Sequence, residues 1–257
     1  MTLARAAAAL ACALAVCPAA AQDTRSDSDP TRPILFSVRP EFYNAGGGVS
    51  RSLFIVRYDA AMTRRRRWLG GKRGLLLRFE MPLASAGAPS RGVENGLGDA
   101  YGQVLLVPYL SGRSAFVVGS GLSMPTATGD SLGSGKWTIA PAAAPVWFIR
   151  GRGMAYVKVQ NLSSFAGDAA RPTFNFLLIT PTLIATVGRR AWILVDTETK
   201  TDWRSGGRTG VKSGVQIGRI LADGLGLWLK PEVWWGPNRG GEWNIKTGIV
   251  WYRSSRP

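Results

Sequence analysis

The chain has 257 residues, 46% of them hydrophobic, with 32 Lys and Arg against 16 Asp and Glu and no histidine. With no imidazole base or ligand, and with its only cysteines at Cys12 and Cys17, it is expected to hold no metal and no cofactor and not to be an enzyme. The formal charge of +16 would suit nucleic acid, but no basic helix or aromatic-basic motif accompanies it, so no nucleic-acid partner is expected.

Residues 1–21 read as a cleaved signal peptide. Arg5 supplies the positive start, residues 6–16 the apolar stretch, and Ala19, Ala20 and Ala21 the small residues before cleavage. The apolar stretch falls short of the roughly 20 residues that a membrane-spanning helix needs. Val16 and Pro18 fit a lipoprotein site around Cys17 poorly. Both cysteines leave with the signal, so the exported chain is expected to carry no disulfide and no thiol nucleophile. Residues 22–33 (QDTRSDSDPTRP) are polar and contain proline, the composition of a flexible lead-in, and residues 34–257 are expected to form a single domain.

From residue 34 onward, apolar side chains alternate with polar or small ones over 34–43, 51–59, 73–82, 99–110, 113–124, 136–148, 153–163, 173–185, 190–199, 209–220, 224–235 and 242–252. Period-two alternation sends one set of side chains to each face of a strand. A tilted strand of about 9–11 residues crosses the hydrocarbon of a bilayer. Long connections at 83–98, 125–135, 164–172, 200–208 and 236–241 alternate with short ones at 111–112, 149–152, 186–189 and 221–223, as outer loops and periplasmic turns do. Residues 60–72, with arginines at 64–67, are long for an inner turn and leave room for an extra short element or a shifted register. The expected fold class is all-β, an antiparallel transmembrane up-and-down β-barrel of about 12 strands. A soluble β-sandwich would alternate too, but its strands are shorter, with a mode of about 5–6 residues.

The phase of alternation points one polar set into the lumen: Arg39, Glu41, Arg57, Asp59, Arg78, Glu80, Lys158, Gln160, Lys212, Gln216, Lys230, Glu232, Asn244 and Lys246. The opposite face is apolar, with Leu75, Leu77 and Phe79, Leu225, Leu227 and Leu229, and Ile245 and Ile249 among its members. A charge facing lipid near the midplane costs about 2–4 kcal/mol, which gives the segregation a physical cause. Mixed signs suggest ion pairs across the lumen, with cations in excess by three in this set. A structural network filling the barrel and a path for solutes both fit these residues. Trp137, Trp235 and Trp243 fall at outer strand ends and Trp147, Trp192 and Trp251 at inner ones, where indoles form interface girdles. Paired arginines at 150 and 152 and at 189 and 190 read as solvated turns near anionic headgroups.

Two enzyme-like motifs do not stand. Residues 129–132 (GDSL) spell a hydrolase serine motif, but they lie in a long loop with no histidine to partner the serine. Residues 133–136 (GSGK) have the wrong upstream spacing for a phosphate loop, and Trp137 replaces its Ser/Thr. The most distinctive text is residues 94–99 (ENGLGD) with residues 119–141 (GSGLSMPTATGDSLGSGKWTIAP). In these residues the chain resembles the outer-membrane β-barrel family of the phenol-degradation meta-pathway, or putative transporter, type. The resemblance implies a barrel of transport role with no catalytic residue. Barrels of this kind usually finish on an aromatic residue, whereas here Trp251 and Tyr252 are followed by residues 253–257.

The expected function is a channel or facilitator for small solutes in the outer membrane of a Gram-negative bacterium. Its expected partners are outer-membrane lipid, the barrel-assembly machinery and a small hydrophobic or anionic solute. The alternatives are a closed structural or surface-interaction barrel with a side-chain-filled lumen, and a soluble periplasmic β-protein that binds an acidic partner.

Overall fold

The computed structural model describes residues 34–63, 74–89, 92–222, 224–236 and 239–252. The expected signal peptide and lead-in, the arginine run at 64–67 and residues 253–257 lie outside the described residues. The strands are β1 (Phe36–Gly46), β2 (Val49–Thr63), β3 (Gly74–Ala88), β4 (Gly92–Leu97), β5 (Ala100–Leu110), β6 (Ser114–Met124), β7 (Lys136–Ile149), β8 (Gly153–Gly167), β9 (Asn175–Val187), β10 (Ala191–Asp202), β11 (Arg208–Ala222), β12 (Leu225–Trp235) and β13 (Trp243–Trp251). Consecutive strands pair antiparallel, and β1 closes the sheet on β13 from Phe36↔Trp251 to Asn44↔Trp243. Closure leaves the ring itself without a free edge, the condition for a sheet to sit in lipid. Among the described residues, only the short β4, which pairs with β3 alone, keeps an edge without a strand partner.

Thirteen segments make twelve staves, because β4 and β5 are two halves of one bent strand. The outer half of β3 pairs with β4 at Leu83↔Leu97, and its inner half pairs with β5 at Glu80↔Tyr101, one residue out of step. The slip falls at Gly98 and Asp99, where the Gly98 amide donates to the Pro82 carbonyl at 2.8 Å. This is the geometry of a β-bulge, which bends a strand without breaking the wall. Residues 83–98, expected as a loop, are instead mostly strand: the alternation fades there because both faces of the hairpin carry small residues, such as Ala84, Ser85, Ala86 and Gly87. Likewise β2 continues to Thr63, into the connection expected at 60–72.

Four strands, β2, β3, β8 and β11, run for 15 residues. That exceeds the 9–11 or so needed to cross the hydrocarbon, so their ends stand outside it. At the end that also holds both ends of the described chain, the connections 111–113, 150–152 and 188–190 are short, while 64–73 between β2 and β3 is longer. Loop 125–135 lies at the other end, as expected. The expected loop 200–208 contracts to a single 3-10 turn, Trp203–Ser205, whose first free amide is capped by the Asp202 carboxylate at 2.9 Å.

Outward positions are apolar and exposed, as in Leu227, Leu229 and Val233 on β12 and Ile245 and Ile249 on β13. Aromatic pairs mark the two rims at the β1–β13 seam: Phe36 with Trp251 (5.3 Å between ring centroids) and Phe42 with Trp243 (5.6 Å). The two tryptophans are eight residues apart in β13, or about 27 Å of strand. At a tilt of about 40° this is about 21 Å along the membrane normal, close to the apolar belt of such barrels. The core lies inside the short-turn end, where Leu76, Val107, Val146, Met154, Ile184, Trp192, Leu194, Trp228, Val250 and Tyr252 form one buried cluster with Ile34. Close packing there depends on Gly218 and Gly248, since a Cβ on either would run into the rings of Trp192 and Trp228.

This topology fixes a labelling pattern on intact cells. A cysteine at Asp130→Cys, whose native side chain is 98% exposed in the long-loop end, should react with an impermeant thiol reagent, while one at Gly112→Cys should not. Labelling at 112 alone would reverse the orientation.

Candidate functional site: the charged lumen

The site is built from inward positions of eight neighbouring strands. Three lysines on adjacent strands, Lys212 (β11), Lys230 (β12) and Lys246 (β13), converge on the carboxylate of Glu232, with N···O separations of 3.8, 2.7 and 3.0 Å. Lys212 also pairs with Glu198 at 3.2 Å, and Lys230 donates to Asp196. The chain of charges continues round the wall: Lys246 lies 3.8 Å from Glu41, which also accepts from Arg39 and from the Tyr43 hydroxyl. Arg39 reaches on to Glu80 at 3.4 Å. Asp59 accepts from the Nε and Nη2 of Arg57, at 2.9 and 2.6 Å, and from Arg78 at 3.1 Å, while Arg78 also donates to Gln103 at 3.3 Å. Buried charges are tolerated where partners and hydrogen bonds compensate them, and here Glu41, Asp59 and Glu232 each serve at least two cations.

The opposite side of the lumen is different in kind. There β5, β6 and β7 present Leu105, Val117, Ala142 and Ala144. Short side chains facing long paired ones leave a cavity of ≈500 Å³ between the two walls. Of the residues expected in the lumen, Arg39, Arg57, Arg78, Glu80, Lys158, Gln160, Lys212, Gln216, Lys230, Glu232 and Lys246 line this cavity. Glu41 and Asp59 are buried beneath the arginines, and Asn244 is wholly buried away from the cavity lining.

Sequence reasoning missed Asp196 and Glu198 on β10, and Thr180 and Thr182 on β9. The signal was available, since 192, 194, 196 and 198 share one face of β10. That same parity corrects the girdle. Trp192 does not face lipid: it is fully buried in the apolar cluster, its indole lying against Gly218. Trp137, Trp147, Trp235, Trp243 and Trp251 are exposed on the outer wall. Adding Asp196 and Glu198 also revises the charge balance. Seven cations in the belt now face six carboxylates, so the excess is one among the described residues where three had been expected.

Toward the long-loop end, the two distinctive sequence segments form one clasp. Asp99, at the bulge, accepts from the Ser134 amide (2.6 Å), the Ser134 hydroxyl (2.8 Å) and the Ala127 amide (3.3 Å). Thr126 bridges the Ala100 amide and the Gly98 carbonyl, at 2.9 and 3.0 Å. Farther across the mouth, Arg51 of β2 donates to the carbonyl of the fully buried Leu132 at 2.7 Å. Loop 125–135 therefore folds over the bulge toward β2 instead of standing away from the barrel. Glu94 accepts from both the hydroxyl and the amide of Ser131, and these bonds hold its carboxyl below the usual glutamate range. Because the folded value is depressed, this contact persists above the ordinary glutamate value and is lost only as pH falls through the lowered one.

No family model and no curated protein sequence matches the chain. Its fold is similar to solved structures of outer-membrane barrels, among them the following three. One is an outer membrane channel from Pseudomonas putida F1, at 11% identity and a TM-score of 0.71, covering 90% of this chain and 100% of that one. The NanC porin matches at 8% identity and a TM-score of 0.59, over 85% of this chain and 100% of its own. The KdgM porin matches at 10% identity and 0.53, over 85% of this chain and 98% of its own. The shared feature is the closed antiparallel barrel.

The clasp predicts a local effect of one substitution. Asp99→Ala leaves three donors of loop 125–135 without their acceptor, a loss of about 1–3 kcal/mol to that loop. Limited proteolysis of the folded protein should then cut within 125–135 faster than in wild type, with the rest of the barrel intact. Unchanged cleavage would show that the loop is held by other contacts.

Proposed function

We propose that the chain is an outer-membrane channel or facilitator for small solutes, exported by a cleaved signal peptide of residues 1–21 and inserted by the barrel-assembly machinery. The observation that carries this reading is a polar, charge-lined cavity inside a closed barrel with an apolar outer wall. The likeness to channel and porin folds supports the same reading. So does the resemblance of residues 94–99 and 119–141 to the phenol-degradation meta-pathway family, because these residues build the clasp at the long-loop end.

Passage needs one layer to give way. The buried cluster around Trp192, Trp228 and Tyr252 closes the short-turn end of the lumen with apolar side chains. Apolar constrictions of this kind gate by dewetting. The indole N–H groups of Trp192 and Trp228 are buried with no hydrogen-bond partner, a cost of about 1–3 kcal/mol each that admitted water would relieve. With a single excess cation in the belt, selectivity for anions should be weak.

In planar bilayers the purified protein should give small current steps with a reversal potential displaced slightly toward anions. Trp228→Ala opens the apolar layer and should raise the conductance of each step. Silence from both wild type and Trp228→Ala, in protein that still shows the heat-dependent gel mobility of a folded barrel, would leave a closed structural barrel as the better account.

A further inference from the structure

Lys158 stands apart from the other belt cations. Its counterparts Lys212, Lys230, Lys246, Arg39, Arg57 and Arg78 each engage at least one carboxylate. Lys158 makes no hydrogen bond and no ion pair among the described residues, yet it lines the cavity. Across the β8–β9 ladder it sits opposite Thr180, and its neighbour Tyr156 sits opposite Thr182. Both threonines are at least nine-tenths buried, line the same cavity, and have hydroxyls without a partner. Both hydroxyl oxygens are buried in the wall, and a change of χ1 to another staggered well turns them toward the cavity. One ammonium and two unpartnered hydroxyls thus lie together on one wall, the ammonium influenced by Glu198 and Asp196 only through space.

The nearest carboxylates on the neighbouring strand, Asp196 and Glu198, are already held by Lys230 and Lys212. They make no direct contact with Lys158 but act on its charge through space, which makes the spot unfavourable for more than one added negative charge. Beside it, on the successive strands β7, β6 and β5, Ala144, Val117 and Leu105 supply an apolar surface that no paired charge covers. A ligand that satisfies both walls has a single negative charge at one end and a hydrocarbon body at the other.

We propose that the lumen binds a small organic monocarboxylate, its carboxylate on Lys158, Thr180 and Thr182 and its apolar body against Leu105, Val117 and Ala144. The proposal deepens the channel reading by naming the class of solute, and it rests on that reading for the solute's route through the barrel. Binding itself needs only the cavity. Removing the ammonium should weaken binding about tenfold, since a hydrogen bond to a charged group is worth more than one between neutral groups. Inorganic divalent anions should bind less well than the monocarboxylate, because the site offers one compensating charge and an apolar surface.

Calorimetric titration of hexanoate into the folded, detergent-solubilised protein tests this, with hexan-1-ol as the uncharged match and sulfate as the divalent anion. Hexanoate should bind wild type more tightly than either comparison compound. Lys158→Met should weaken it about tenfold, and Lys158→Arg should keep most of the affinity. Thr180→Val with Thr182→Val, which preserves shape, should weaken it to a smaller degree and carries the test if Lys158→Met fails to fold. Equal affinity in wild type and these variants, equal binding of hexan-1-ol, or no hexanoate binding in wild type overturns the proposal. Hexanoate binding by protein that carries no bilayer current upholds the site and fails the channel reading. Current without hexanoate binding fails the site alone.

Discussion

The Glu232 carboxylate, 1% exposed and shared by lysines from three strands, is the contact on which the lumen depends. A strand that crosses lipid has only two faces, and the outer one cannot hold charge cheaply. Every ionic side chain in the middle of a stave is therefore driven inward, where water is scarce and each charge needs a partner. Glu232 meets that need for β11, β12 and β13 together, and Asp59 does the same for β2 and β3. The ion pairs thereby tie neighbouring staves across the wall in addition to the ladder hydrogen bonds.

The same constraint explains why the cavity has one charged and one bland wall. Long paired side chains fill the lumen from β10 round to β3, while β6 and β7 contribute mostly small residues opposite them. Below this level the inward positions turn apolar, and Trp192 and Trp228 close over Gly218 and Gly248. The lumen is therefore a polar chamber above an apolar floor. Such a chamber suits a solute that first binds and then moves through an opened constriction, and it suits a wide aqueous pore poorly. A twelve-strand barrel lies between the eight strands or so that side chains can fill and the 16–18 that leave a channel, so these inward residues decide its openness.

Much of this was legible in period-two alternation, because a barrel repeats one simple rule along every stave. The inward placement of Lys230 and Glu232, or of Lys212 and Gln216, follows from parity and the apolar run beside it. Trp192 was misplaced because residue type was allowed to override parity: an indole near a strand end suits a girdle, but its face already carried Leu194, Asp196 and Glu198. The β3–β4 hairpin was hidden for another reason. Its residues stand beyond the lipid, where nothing enforces apolar alternation, so Ala84, Ser85 and Gly87 look like loop. The bulge at Gly98 and Asp99 and its clasp on loop 125–135 are tertiary, and no local pattern announces that residues 99 and 134 meet.

The most direct test of this account is the unfolding of Glu232→Gln in detergent, followed by heat-dependent gel mobility against denaturant. The substitution keeps the shape but removes the carboxylate that Lys212, Lys230 and Lys246 share. If the lumen is held by mutual pairing of its charges, the variant should lose about 3–5 kcal/mol, the usual cost of breaking a buried pair, and unfold at clearly lower denaturant. An unfolding midpoint equal to that of wild type would contradict the account, leaving the ladder and the apolar floor as sufficient to hold the barrel.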